Sequence, residues 1–159
     1  MKIGVVSDTH SKAIPQQVFD SFRDVDLIIH AGDFCSVADL KKFQDIKTVK
    51  AVRGNMDENS LSAILPERDI FTWGNFKIGI YHGRGPRNLV LEAVQEEFKN
   101  ERVDAVIFGH SHQPFNEELN GVLYFNPGSP NDPIFAPYCS YGILEVKSGK
   151  IVGKIVKVK

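Results

Sequence analysis

Cysteine is scarce in this 159-residue chain, with Cys35 and Cys139 the only two. They lie far apart and outside any C-x-x-C spacing, which excludes a disulfide framework and a thiolate zinc site and fits a reducing compartment. Charge of one sign is equally short. Nineteen Lys and Arg stand against twenty Asp and Glu, a formal net charge of −1. That balance excludes an extended nucleic-acid or membrane-surface footprint, so an anionic substrate must be held locally. Long apolar runs are missing too. The opening MKIGVVSDTH turns polar after a few apolar residues. Neither a signal-peptide core nor a membrane span is expected, and the expected location is cytoplasmic. No low-complexity linker or internal repeat divides the chain, so one domain over 1–159 with one substantial core is expected.

What is present is a series of short apolar runs, each ending in polar residues. Ile3 to Val6 reads as a buried strand running out into Ser7-Asp8-Thr9-His10. Pro15 suits a first helical position, followed by Val18, Phe22 and Val25 at helical spacing. Leu27 to Ala31 is a second strand stopping at Gly32-Asp33, and Ser36 would cap a helix with Val37, Leu40 and Phe43 inward. Thr48 to Val52 is a third strand, ending in RGNMD. Phe71 to Ile80, with a Gly-Asn turn between two arms, predicts an antiparallel hairpin that feeds into Tyr81-His82-Gly83. Pro86 opens the longest helix, with Val90, Leu91, Val94 and Phe98 on its apolar face, and Asp104 to Phe108 returns to strand. From Gly121 onward the pattern is strand and turn: Val122 to Phe125, NPGS, Tyr141 to Val146, and Ile151 to Val158. The expected fold class is α/β, two packed mixed β-sheets flanked by helices in a four-layer α/β/β/α sandwich.

Ligands in open α/β folds sit beyond the carboxyl ends of strands, so the residues after each run matter most. They are Asp8 and His10, Asp33, Asn55, His82, and the pair His110 and His112 in GHSH. In extended chain His110 and His112 would point to the same side, one half of a metal grip. Four of the five histidines occupy such ends, which scattered solvated histidines would rarely do. Carboxylate, imidazole and amide donors without thiolate suit Mn²⁺, Fe²⁺, Ni²⁺ or Zn²⁺. Seven donors exceed one tetrahedral ion and fit two ions sharing a carboxylate.

In order, the motifs are D-x-H, G-D, G-N-x-D, H-G and G-H-x-H. The chain therefore resembles the calcineurin-like metallophosphoesterases, and more narrowly their small single-domain phosphodiesterase branch, from Ile3 to about Ser129. The resemblance implies that Asp8, His10 and His112 hold one metal, Asn55, His82 and His110 the other, and Asp33 bridges them. It further implies two divalent ions, Mn²⁺ foremost, and a metal-bridging hydroxide that attacks a small phosphodiester in line, with Asp33 and Asn55 in the catalytic set. Homo-oligomers are common among relatives. Two departures stand out. Met56 occupies a position where many relatives carry a proton-donating histidine, so esters with good leaving groups are favoured. Arg84 replaces a second histidine; its guanidinium would grip a phosphate oxygen, or is a solvated arginine beside a glycine turn.

Other polar residues have plainer readings. His30 lies inside its run and reads as a hydrogen-bonded interior histidine. Cys35 reads as packing. Asp57 would bond a ligand histidine or cap the helix from Glu58 to Leu65. NPGS reads as a supporting turn, and the C-terminal lysines as guards of a strand edge. Phe34, Tyr81 and Phe115 flank site motifs and are candidates to line a pocket. The competing function is a protein-interaction scaffold on the same fold, which a broad exposed apolar patch away from the site would favour.

Overall fold

The structure, a computed structural model, describes all residues from Met1 to Lys159. In chain order the elements are β1 (Lys2–Val6), α1 (Gln16–Phe22), β2 (Leu27–His30), α2 (Val37–Gln44), β3 (Val49–Ala51), α3 (Asn59–Ile64), β4 (Arg68–Trp73) and β5 (Phe76–Tyr81). A 3₁₀ turn (Arg87–Leu89) leads into α4 (Val90–Phe98), then β6 (Ala105–Ile107), β7 (Phe115–Leu119), β8 (Val122–Asn126), β9 (Ser140–Lys147) and β10 (Lys150–Lys157). One sheet has the order β10-β9-β1-β2-β3 and the other β4-β5-β6-β8-β7. Parallel strands run β1-β2-β3 in the first sheet, with β3 at its edge, and β5-β6-β8 at the centre of the second. Antiparallel strands β9 and β10 extend the other side of the first sheet, and β4 and β7 close both flanks of the second.

Alternation along the strands explains the layering, because successive side chains leave opposite faces. Ile3, Val5 and Ile29 of the first sheet pack on Ile78, Ile80, Ile107 and Phe125 of the second, forming the central core. The opposite faces carry the helices. Val6 and Ile28 meet Val18, Phe22, Leu40 and Phe43 from α1 and α2, while Val106 and Tyr124 meet Val90, Val94 and Phe98 from α4. The fold is the expected four-layer sandwich of two mixed sheets flanked by helices.

Local differences from the sequence reading have local causes. Pro15 stands just outside α1 with ψ 136° rather than at its first position, whereas Ser36 caps α2 as expected by accepting from Asp39 N. The hairpin of β4 and β5 begins at Arg68, three residues before the run that signals it. Strand β7 was not foreseen: in Phe115–Leu119 only the terminal residues are apolar, and the middle three are exposed. It is an edge strand paired only with β8, where one ladder of backbone bonds is enough.

Candidate metal centre

Every predicted donor lies just past a parallel-core strand: Asp8 and His10 after β1, Asp33 after β2, Asn55 after β3, His82 after β5, His110 and His112 after β6. Past the ladder the backbone turns sharply. Asp8, His10, Asp33, His110 and His112 have φ of 56°, 48°, 59°, 67° and 59°, the left-handed region that non-glycine residues seldom adopt. His110 and His112 are therefore not in extended chain as the sequence reading supposed. They reach one site through a turn, with His112 toward Asp8 and His10 and His110 toward Asn55. Bonds between loops hold the strained turns: Asp8 N to Gly32 O, His10 N to Asp33 O and Gly109 N to His82 O, each 3.0 Å.

Each aspartate has one oxygen tied and one aimed inward. Asp8 Oδ2 accepts from Ser7 Oγ at 2.7 Å and from His110 N at 3.0 Å. Its Oδ1 is buried without any hydrogen-bond partner. An unpaired buried carboxylate oxygen is costly unless positive charge sits beside it. It lies 3.4 Å from His112 Nε2, 3.8 Å from His10 Nε2 and 3.9 Å from His82 Nε2. Asp33 Oδ1 accepts from Met56 N at 2.8 Å, leaving Oδ2 3.2 Å from His82 Nε2 and 3.6 Å from His10 Nε2. Asp33 stands between two histidines, as a bridging ligand must, and Asp8 reaches both sides as well.

The imidazoles are oriented from behind. His82 Nδ1 donates to Ala31 O at 2.7 Å, and His112 Nδ1 donates to the Asp132 carboxylate, so both present Nε2 to the centre. His110 Nε2 donates to Gly85 O at 2.8 Å, which leaves Nδ1 at 3.0 Å from Asn55 Oδ1. Asn55 Oδ1 also lies 3.1 Å from His82 Nε2. The Nε2 atoms of His10 and His112 are 3.1 Å apart. Two groups offer ligand atoms mutually within 4.8 Å: Asp8, His10 and His112, and Asp8, Asp33 and His82. Nitrogen and oxygen donors of this kind fit borderline divalent ions.

Electrostatics agree with the geometry. Burial disfavours charge on His82, yet its bond to Asp33 and the charges of Asp8 and Asp33 raise its pKa to about 9. Burial also opposes ionisation of Asp8 and Asp33, but the neighbouring imidazoles, His112 and His82 beside Asp8 and His82 beside Asp33, hold both below the usual carboxylate value. The acidic pair thus favours positive charge at the centre of the site.

The supporting residues differ in part from expectation. Asp57 neither bonds a histidine nor caps α3; its carboxylate accepts from Asp33 N, Cys35 N and Gly54 N, pinning two ligand loops together. A Cβ on Gly54 would lie 2.1 Å from Asp33 Oδ1, and one on Gly109 2.0 Å from Ser7 Oγ, so both motifs need glycine for close approach. His30 is interior, bonded to Thr9 Oγ1 and stacked on Phe34. Cys35 packs beside His10, and burial, then Asp33 and Asp57, push its thiol up to about 11. The NPGS turn joins the sheets through Ser129 Oγ, which donates to Asp8 O, and steadies the loop after β6 through Asn126 Nδ2, which donates to Gly109 O.

Above the donors opens a cleft of about 310 Å³ bordered by Lys12, Met56, Arg87, Asp132 and Phe135. Arg84 lies instead in a neighbouring hollow with Arg53 and Glu67, which meets the cleft at Asn55. The expected pocket aromatics are elsewhere. Phe34 is fully buried, Tyr81 borders the hollow of Arg84, and Phe115 packs on Phe108. Asp132, Arg87 and Phe135 were missed in the sequence. Asp132 sits in a proline-flanked turn, where an aspartate ordinarily signals only the turn itself.

Comparison with known proteins gives a consistent result. The model of the calcineurin-like phosphoesterase superfamily domain matches residues 1–149. A probable metallophosphoesterase of Methanothermobacter thermautotrophicus is 37% identical over 169 residues, covering 99% of this chain and 92% of the relative. A structure described as a novel archaeal phosphodiesterase superposes with a TM-score of 0.77 at 28% identity, over 98% of this chain and all of the other. Wild-type Vps29 of Entamoeba histolytica, solved with Zn²⁺, gives a TM-score of 0.74 at 27% identity, covering 99% of each chain. With its ligand types spread over both sheets of this sandwich, the chain belongs to the calcineurin-like phosphoesterase superfamily.

Proposed function

We propose that this protein is a phosphodiesterase working with two divalent ions, Mn²⁺ foremost among Mn²⁺, Fe²⁺, Ni²⁺ and Zn²⁺. The observation that carries the reading is the partnerless, buried Oδ1 of Asp8 at the meeting point of three imidazole Nε2 atoms. Asp8, His10 and His112 would hold one ion, Asn55, His82 and His110 the other, with Asp33 between them. Such ions supply, when bound, an activated water and charge neutralisation for in-line displacement at phosphorus.

The chain's own residues then act by position. Ala31 O and Asp132 fix the tautomers of His82 and His112, so neither ring needs to reorient. Met56 is 58% exposed at the cleft, and its thioether has no proton to give. Esters with good leaving groups are therefore the better substrates. Arg84 would meet only a substrate long enough to pass Asn55 into the neighbouring hollow.

The test is hydrolysis of bis(p-nitrophenyl) phosphate by the Mn²⁺-loaded protein beside Asp33→Ala. The substitution should cost at least about 10²-fold, since even outer partners of metal ligands are worth 10–100-fold. A second reading, an interaction scaffold, is favoured by the likeness to Vps29, a vacuolar protein sorting component by name. A metal-loaded protein inert toward every activated phosphate ester would establish that reading instead.

A further inference from the structure

The cleft above the donor set is not uniformly polar. Phe135, a residue 56% exposed, borders it, its ring nearly perpendicular to that of the donor His112 with 6.4 Å between centroids. The guanidinium carbon of Arg87 lies 3.9 Å from the centroid of that ring. An exposed phenyl ring in water forgoes the stabilisation of burial, and beside the donors it offers a flat apolar surface to a ligand in the cleft. Arg87 and Lys12, the two cations at this rim, are absent from the molecule's ion pairs with carboxylates. The carboxylate that shares the rim, Asp132, is already engaged by His112.

The loop bearing Phe135 is tied to the donors. Asp132 Oδ1 accepts from Ile134 N at 3.0 Å and from Phe135 N at 3.2 Å, while its Oδ2 accepts from His112 Nδ1. One carboxylate therefore sets both the orientation of a donor imidazole and the position of the exposed ring. Phe135 is thereby held at a fixed offset from the donor His112.

We infer that Phe135 determines specificity, seating a planar base on the ring face that the Arg87 guanidinium leaves open, while Arg87 and Lys12 take the phosphate. The substrate class is then a small phosphate diester carrying a nucleoside-like group. This rests on the phosphoesterase reading of the same site. Stacking on one ring face is tolerant of base identity, so the preference is for a base over none, rather than for one base. The cleft, about 310 Å³, is of a size for a ligand of this kind.

The experiment is calorimetric titration of the Mn²⁺-loaded protein with thymidine 5′-monophosphate and with 1-O-methyl-2-deoxyribose 5-phosphate, which carries a methoxy group in place of the base on the same closed sugar phosphate. Wild type should bind the nucleotide roughly tenfold more tightly, the scale of one stacked base. Phe135→Ala should equalise the two ligands, Phe135→Trp should keep the preference, and Arg87→Gln should weaken both alike. Equal affinities in wild type, binding of neither ligand, or a preference that survives Phe135→Ala would each overturn the inference. Turnover of bis(p-nitrophenyl) phosphate by the same samples separates the two readings. A base preference without turnover removes the phosphodiesterase and leaves the platform, and turnover without a base preference does the reverse.

Discussion

Asp132 supplies no atom to the donor set, yet the orientation of His112 hangs on it. Burial alone would raise its pKa, but the bonds to His112 and to two backbone N–H groups bring it down to about 2, so it is a carboxylate at any working pH. Asp132→Asn keeps the shape and removes the charge. It should weaken Mn²⁺ binding by about 10–100-fold, measured by competition with a chromogenic chelator. An unchanged affinity would mean that His112 holds its orientation without help. Residue types made most of the site legible: a histidine or aspartate just after an apolar run is visible in sequence. Which oxygen of Asp8 is free, and which nitrogen of His112 faces inward, depend on Ser7, the His110 backbone and Asp132, brought there by folding.

Among the elements, α2 is tied to the loop after β1 by one side chain. Asp39 accepts from Ser11 Oγ and Ser36 Oγ at 2.5 Å each and from Lys42 Nζ at 2.7 Å. Burial pushes its pKa up, but Lys42 and the two hydroxyls outweigh that and hold it below the ordinary aspartate range. A depressed carboxyl stabilises the fold above its unfolded pKa, and loses that contribution as pH falls through the folded value. Asp39→Asn should therefore cost about 1–3 kcal/mol at neutral pH by urea unfolding, a difference that shrinks below pH 3.8. A gap that stays constant into acid would show that charge plays no part. Packing between the sheets offers a second test at this scale. Phe125 of β8 is fully buried against Gly142 of β9 and Gly153 of β10, where an added Cβ would come within 2.3 and 2.5 Å of its ring. Phe125→Ala should cost about 3–5 kcal/mol in the same assay, because backbone on the facing side cannot collapse into the space.

At the scale of the molecule, the donor set spans the seam between the sheets. Asp8, His10, Asp33 and Asn55 come from loops of the first sheet, His82, His110 and His112 from loops of the second. An ion held by both would cross-link them. Mn²⁺ at a hundredfold excess over its Kd should add about 2.7 kcal/mol per site, seen as a raised unfolding midpoint that a chelator reverses. Asp33→Ala should lose most of that rise, and a wild-type midpoint indifferent to Mn²⁺ would count against the centre. The sequence by itself determined the strand ends, the donor types, the family resemblance and the layered fold, because apolar period and the residue after each run are local properties of the chain. Tertiary structure alone decided that Asp8 reaches both donor groups, that Asp57 pins loops, that β7 completes a sheet, and that Arg87 and Phe135 border the cleft while Arg84 stands aside. Those facts depend on which segments, distant along the chain, pack against one another, and no local pattern encodes the distances between them.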